Sequence, residues 1–212
     1  MKITLAVGLS TVVLLTGCRS VPTPLAPSVS EDDCLAKASF GPPSASPYCL
    51  PLAEGARSLV SQAYCSNPGR SHRGRFAYDF ECGYGDEIRA ARGGFIEFLG
   101  DAWPDEDPTS GHENRVVIRH ADGSVAFYAH FQRDSLAVVS GESVSIGQLL
   151  GRCGSSGTPS TPHLHFEVFE RAAYEWERGV PVSFRNSDGP LDSRGGLDVG
   201  VTYGVRSCAA SG

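Results

Sequence analysis

One segment combines a clear strand pattern with candidate catalytic residues. It is Pro162-His163-Leu164-His165-Phe166-Glu167-Val168, residues 162–168. Polar and apolar residues alternate strictly here, which is the pattern of a β-strand with one buried face. The three apolar residues are predicted to enter the core. His163 and His165 then share the opposite face, about 6.7 Å apart along the strand. Two imidazoles side by side can bind a metal ion or transfer protons.

Short β-like runs bounded by turn signals surround this stretch. Residues 116–119 and 124–129 flank Asp122-Gly123, a dipeptide typical of hairpin turns. Further strands are predicted at 95–99, at 149–150 and over 164–169, whereas helices are expected only near 55–62 and 172–178. The 212 residues include 25 glycines and 14 prolines, which favour turns over long helices. The sequence therefore predicts an all-β fold built on a largely antiparallel, two-layer sheet.

Further candidate ligands lie upstream. The aromatic residues at 76, 78 and 80 form one strand face, which places Asp79 on the other. An aspartate among aromatic residues is costly to bury unless it is paired or bound to a cation. His72 precedes this strand, and His130 closes the run at 127–129. One carboxylate and two imidazoles with an open fourth position form a ligand set used by catalytic zinc.

In this order, the residues resemble the lysostaphin/LytM-type zinc metallopeptidases, which are bacterial peptidoglycan endopeptidases. The motifs that carry the resemblance lie within residues 50–169 and are His72…Asp79, Tyr128-Ala129-His130, Gly147-Gln148-Leu149-Leu150-Gly151, Gly154-Ser155-Ser156-Gly157 and His163-Leu164-His165-Phe166-Glu167. The resemblance implies a duplicated-hybrid-motif-like fold with a zinc groove across the sheet. It also implies that His72, Asp79 and His165 bind Zn²⁺ and that His130 and His163 are catalytic.

The activity implied by this resemblance is zinc-dependent hydrolysis of peptide bonds in peptidoglycan cross-links or stems, by attack of zinc-bound water. Two alternatives stay open. Some relatives keep the fold and serve as non-enzymatic binding or regulatory modules for cell-wall hydrolases, and a metallopeptidase of this kind can also act on a secreted protein. The expected partner is peptidoglycan. Nucleic acid is not expected, because the formal net charge is -6.

The N-terminus has the features of a lipoprotein signal. Lys2 precedes uncharged residues 3–17, a run that is too short to span a bilayer and is typical of secretory signals. It ends in Leu15-Thr16-Gly17-Cys18, which resembles a bacterial lipobox. We therefore expect an exported protein, lipid-anchored to a bacterial membrane through Cys18 and on the outer rather than the inner membrane.

The expected domain plan follows from these signals. It consists of a signal peptide at 1–17, a lipid-anchored Pro/Ser-rich tether at 18–30, a Cys-containing extension at 31–49, the metallopeptidase domain at 50–185 and a C-terminal tail at 186–212.

Six cysteines remain when Cys18 is set aside, namely Cys34, Cys49, Cys65, Cys82, Cys153 and Cys208. An even number in an exported chain indicates disulfides, although six cysteines allow 15 pairings. The expectation is pairing between sequence neighbours, that is Cys34 with Cys49, Cys65 with Cys82, and Cys153 with Cys208.

The remaining polar candidates carry weaker signals. His112 is predicted to be solvated and His120 to be structural. Cleft walls are expected from residues 103–112 and 173–189. Side chains considered for substrate contact are Arg92, Asn114 and Arg119.

Overall fold

The computed structural model describes residues 31–65, 72, 75–105, 107–157, 161–175 and 178–208. The predicted signal peptide, the predicted lipidation site Cys18 and the predicted tether lie outside the described residues. The elements in chain order are α1 Glu31–Lys37, a 3-10 turn Pro43–Ala45, β1 Arg57–Gln62, β2 Ala77–Glu81, β3 Glu87–Arg89, β4 Gly94–Gly100, β5 Arg115–Arg119, β6 Val125–Ala129, β7 Ser143–Val144, β8 Leu149–Arg152, β9 His163–Phe169, β10 Ser187–Asp188 and β11 Thr202–Val205.

A nine-stranded antiparallel sheet forms the frame of the domain. Its strand order is β10-β11-β1-β2-β9-β6-β5-β4-β7, so β9 lies at the centre between β2 and β6. Strands β3 and β8 form a separate two-stranded ribbon. The prediction of an all-β, largely antiparallel fold is confirmed.

The two faces of the sheet differ because side chains alternate along each strand. Tyr78 of β2, Tyr128 of β6 and Phe166 of β9 point to one face and are fully buried in the main core, which Ile88 of the ribbon joins. The opposite face carries a smaller apolar cluster that includes Phe127. The predicted histidines and aspartate of β2 and β9 lie on this second face.

Both helix expectations are wrong where the structure describes those residues. Residues 57–62 form β1, which pairs with β11 on one side and β2 on the other. A short run has little helical stability of its own, so hydrogen bonds to two neighbouring strands decide its conformation. Residues 171–175 form bends and a turn, and Tyr174 has a φ of 70°, outside the range of a right-handed helix.

The segments on either side of the predicted metallopeptidase domain also carry structure. Helix α1 lies in the predicted extension, and β10 and β11, from the predicted C-terminal tail, extend the main sheet. Within the described ranges, no helix combines the length and the apolar character needed to cross a bilayer.

The structure contradicts the expected disulfide pairing. It joins Cys34 to Cys65, Cys49 to Cys208, and Cys82 to Cys153. The second bond spans 159 residues along the chain. Sheet topology explains this, because β11 returns the C-terminal segment to the edge of β1, close to where the chain enters the domain.

Peptide mapping without reduction tests these pairs. Proteolysis of the purified, oxidised protein is expected to give three disulfide-linked peptide pairs, matching Cys34–Cys65, Cys49–Cys208 and Cys82–Cys153, that separate on reduction. Any other linked pair would contradict the topology described above.

Candidate metal centre

The register of the central strands assembles the centre. Asp79 of β2 lies directly opposite His165 of β9, and Ala129 of β6 lies opposite His165 on its other side. His130 follows that alanine and therefore ends near the same point. His72 reaches the group from the segment before β2. The structure thus brings together residues that the sequence separates by up to 93 positions.

Three buried ligand atoms converge on the second face of the sheet. The Nε2 atom of His72 lies 3.0 Å from Nδ1 of His165 and 3.1 Å from Oδ1 of Asp79. The same Oδ1 lies 3.0 Å from Nδ1 of His165. The three residues are 0%, 7% and 2% exposed, respectively. Among the described residues, these three side chains lie close enough together to bind one metal ion.

This triangle fits a zinc ion better than a hydrogen-bond network. Zinc bonds of about 2.0–2.1 Å in tetrahedral geometry separate the ligand atoms by about 3.3 Å, close to the spacing seen here. Hydrogen bonding alone cannot satisfy all three edges, because two imidazole N–H groups aimed at one carboxylate oxygen would leave the 3.0 Å nitrogen–nitrogen contact without an acceptor. Two nitrogen ligands and one oxygen ligand, with no thiolate, also suit zinc.

The charge states of His72 and Asp79 favour ligation. Burial lowers the pKa of His72, outweighing the nearby carboxylate, so its ring is held neutral as a ligand requires. Burial by itself would raise the pKa of Asp79, but hydrogen bonds from His165 and His72 hold it well below its usual range. Asp79 is therefore an ionised, buried carboxylate with two imidazoles against it.

The two remaining predicted histidines lie side by side at the edge of this group. Their ring centroids are 4.5 Å apart, and Nε2 of His163 is 3.9 Å from Oδ2 of Asp79. The Nδ1 of His163 donates to the carbonyl oxygen of Thr161 at 2.9 Å, and the Nδ1 of His130 donates to that of Ser156 at 2.7 Å. A carbonyl oxygen only accepts, so each neutral ring carries its proton on Nδ1 and leaves Nε2 as an acceptor. Burial is the main cause that lowers the pKa of His130 to about 3, and the nearby imidazoles of His163 and His165 act in the same direction.

A tight turn holds the His130 ring in this orientation. His130 has a φ of 73°, and its carbonyl oxygen accepts a hydrogen bond from Gly154 at 2.9 Å. A Cβ atom at Gly154 would lie 2.4 Å from the backbone nitrogen of Gln132, so the close approach requires glycine. The Gly154-Ser155-Ser156-Gly157 motif therefore packs against the turn that presents His130.

Asn114 supports the same turn from inside the protein. It is fully buried, and its side chain bonds to the backbone of Trp103 and to the carbonyl oxygen of Phe131. Its own N–H donates to the hydroxyl of Ser156 at 2.9 Å. Asn114 was considered for substrate contact, but these polar groups are already used within the protein.

The other polar candidates are used in structural contacts. His112 is not simply solvated, because it stacks on Trp103 with ring centroids 3.5 Å apart and bonds to Asp107. His120 is buried and bonds to the carbonyl oxygen of Gly93, as a structural role predicts. The two arginines considered for substrate contact, Arg92 and Arg119, form ion pairs with Asp122 and Glu97.

Sequence reasoning assigned no role to two residues beside the centre. Glu167 is fully buried and accepts hydrogen bonds from Arg75. The signal for Glu167 was present, since alternation along β9 places it on the same face as His163 and His165. The sequence carried no comparable signal for Arg75, because its partner Glu167 lies 92 positions away.

Two histidines and one carboxylate form a buried group on the second face of an antiparallel sheet, and two further histidines lie beside it. This arrangement is a candidate catalytic metal centre. Residues 71–178 match peptidase family M23. The chain belongs to this family.

Three curated relatives share part of the chain. Outer membrane antigenic lipoprotein B of Haemophilus influenzae is 32% identical over 109 residues, which are 51% of this chain and 24% of that protein. DD-carboxypeptidase/endopeptidase Mpg of Neisseria meningitidis is 36% identical over 90 residues, 42% of this chain and 19% of that protein. Murein hydrolase activator NlpD of Escherichia coli is 33% identical over 100 residues, 47% of this chain and 24% of that protein. The chain thus covers no more than about a quarter of these relatives' length.

Proposed function

We propose that this protein is a zinc-dependent endopeptidase that hydrolyses peptide bonds of peptidoglycan. The observation that carries the proposal is the triangle of ligand atoms from His72, Asp79 and His165, which lie 3.0–3.1 Å apart. Beside it lie two histidines whose tautomers are fixed by hydrogen bonds to carbonyl oxygens. These three residues hold the zinc in this proposal. His130 and His163 are the catalytic residues.

The chemistry divides between the metal and the protein. Bound Zn²⁺ would polarise the scissile carbonyl group and lower the pKa of a water molecule. The protein supplies two imidazoles whose Nε2 atoms carry no proton in this tautomer and can accept one from attacking water, and the protonated ring then donates to the leaving amine. The hydrogen bonds to Thr161 and Ser156 keep both rings in the tautomer that this step requires.

The domain plan and location extend this proposal. We place the metallopeptidase domain at 50–185, behind a signal peptide and a tether that is lipid-anchored through Cys18 on the outer membrane. Three disulfides within the described residues are consistent with an oxidising compartment. The relative in Haemophilus influenzae is itself named an outer membrane lipoprotein.

The names of two relatives support peptidoglycan as the partner, and they also favour a second candidate function. Mpg is named a carboxypeptidase and endopeptidase, whereas NlpD is named an activator of murein hydrolases. The second candidate is therefore a non-enzymatic activator that uses this fold to bind a cell-wall hydrolase. Peptide bond cleavage by the purified protein alone separates the two.

The deciding experiment is a digest of isolated peptidoglycan by the purified protein, read by mass spectrometry of the released muropeptides. We expect new peptide ends that disappear with a chelator and return with added Zn²⁺. The nature of the ends identifies the bond that is cut. Intact muropeptides from protein that contains zinc would contradict peptidoglycan cleavage. Cleavage that appears only when a cell-wall hydrolase is added, and that the protein then stimulates, would favour the activator.

A further inference from the structure

A buried carboxylate lies on the same strand face as the candidate ligand His165, two residues further along β9. Glu167 is fully buried beneath the residue 179 segment, where a Cβ at Gly179 would lie 3.4 Å from its Oε1. Its other oxygen, Oε2, lies 3.7 Å from Nε2 of His165. Burial of a carboxylate is costly without a compensating partner, so this placement calls for a physical account.

Arg75 supplies that compensating partner. Its Nε donates to Oε2 of Glu167 at 3.0 Å, and its Nη2 forms a closer ion pair with the same oxygen. The backbone of Arg75 is also fixed, because its N–H donates to the carbonyl oxygen of His72 at 2.9 Å and its carbonyl oxygen accepts from Cys65 at 2.7 Å. Arg75 is therefore linked to one candidate ligand through its backbone and to another through Glu167.

These contacts bear on which nitrogen of His165 carries the proton. The Nη2 of Arg75 is 3.3 Å from Nε2 of His165, and a guanidinium has no acceptor. With the proton on Nδ1, His165 donates to Asp79 and accepts from Arg75, and Nδ1 is then blocked as a ligand. With the proton on Nε2, the ring needs an acceptor on that side, and Glu167 Oε2 is the carboxylate oxygen placed there.

We propose that Glu167 is a positioning residue whose carboxylate, with Oε2 3.7 Å from Nε2 of His165, favours the proton on that nitrogen and so leaves Nδ1 without a proton toward Asp79 and His72. Arg75 holds Glu167 ionised and in place. The inference rests on the proposed zinc site, and it adds that Glu167 favours the tautomer of His165 in which Nδ1 can bind the metal. Partners of this kind behind a ligating histidine typically change metal affinity about 10- to 100-fold.

The test compares zinc affinity with stability in four variants of the purified protein. Zinc dissociation constants come from competition with a chromogenic chelator, and unfolding temperatures are taken on the metal-free forms. The variants are Glu167→Leu, Glu167→Gln, the double variant Arg75→Met/Glu167→Leu, and Glu170→Gln. Glu170 is a matched control, because it forms an exposed ion pair with Arg178 just beyond the end of β9.

Glu167→Leu is expected to weaken zinc binding about 10- to 100-fold. Glu167→Gln keeps an acceptor oxygen and should retain most of the affinity, and Glu170→Gln should match the wild type. The double variant also removes the arginine whose carboxylate partner is lost in Glu167→Leu, so it should regain stability over Glu167→Leu but not zinc affinity. In ¹⁵N spectra of the metal-free proteins, the His165 ring should carry more of its proton on Nδ1 when Glu167 is leucine.

Three outcomes would overturn the inference. Zinc affinity of Glu167→Leu within twofold of the wild type would show that the carboxylate does not position the ligand. If the double variant recovered zinc affinity together with stability, Arg75 and Glu167 would have only a structural role. Failure of the wild type to bind zinc at all would defeat the metal site itself, and this inference with it.

Discussion

Asp79→Asn is expected to abolish zinc binding and reduce peptidoglycan hydrolysis to background. The substitution keeps the size of the buried side chain but removes the negative charge that both imidazoles face at 3.0–3.1 Å. An outer partner of a metal ligand is already worth about 10- to 100-fold in affinity, so loss of a ligand should exceed 100-fold. The measurements are zinc content after dialysis and the muropeptide digest.

A matched control separates this effect from a general loss of carboxylate charge. Asp188→Asn changes an aspartate in an exposed ion pair with Arg206 and should leave zinc content and digestion unchanged. One equivalent of tightly held zinc in Asp79→Asn would refute the assignment of Asp79 as a ligand. Hydrolysis that persists in metal-free Asp79→Asn would instead remove the metal from the mechanism.

His130→Asn is expected to retain zinc and lose hydrolysis by a factor of about 10² to 10⁴, the usual contribution of a general acid or base. The ring of His130 is 6.2 Å from that of His165 between centroids, and it belongs to no edge of the ligand triangle. Asparagine tolerates the left-handed φ of 73° better than most residues, so the turn should be preserved. Initial rates of muropeptide release and zinc content are the two readouts.

Asp134→Asn is the control for this variant. Asp134 also has a left-handed φ, of 54°, and lies on the same segment after β6, but its side chain is exposed. Its substitution should change neither rate nor zinc content. If His130→Asn loses zinc as well, His130 supports the metal site, and if it keeps the full rate, the proton transfer must be assigned to His163 alone.

The strands and their faces were readable from the sequence because they depend on local alternation. Leu164, Phe166 and Val168 are buried as the pattern at 162–168 predicts, and Asp79 lies on the face opposite its aromatic neighbours. The same alternation put Asp79 opposite its aromatic neighbours and His163 and His165 on one face, whereas the roles of His72 and His130 came from the family resemblance.

Predictions that depended on partners far along the chain failed or were not made. The disulfide pairs follow strand order, which brings Cys49 to Cys208 rather than to its sequence neighbour. Residues 55–62 contain a run that reads as a helix in isolation, but two neighbouring strands convert it to β1. Asn114 was considered for substrate contact, but it is buried and bonds to the backbones of Trp103 and Phe131.

The sequence by itself determined which residues have the chemistry and which face of each strand they occupy, because a strand repeats every two residues whatever surrounds it. Only the tertiary structure decided that His72, Asp79 and His165 meet within hydrogen-bond distance and that Arg75 reaches Glu167. Strand register and order set these meetings. Strand register and strand order depend on backbone hydrogen bonds between segments dozens of residues apart and on burial of the shared core. No single segment of the sequence therefore shows them.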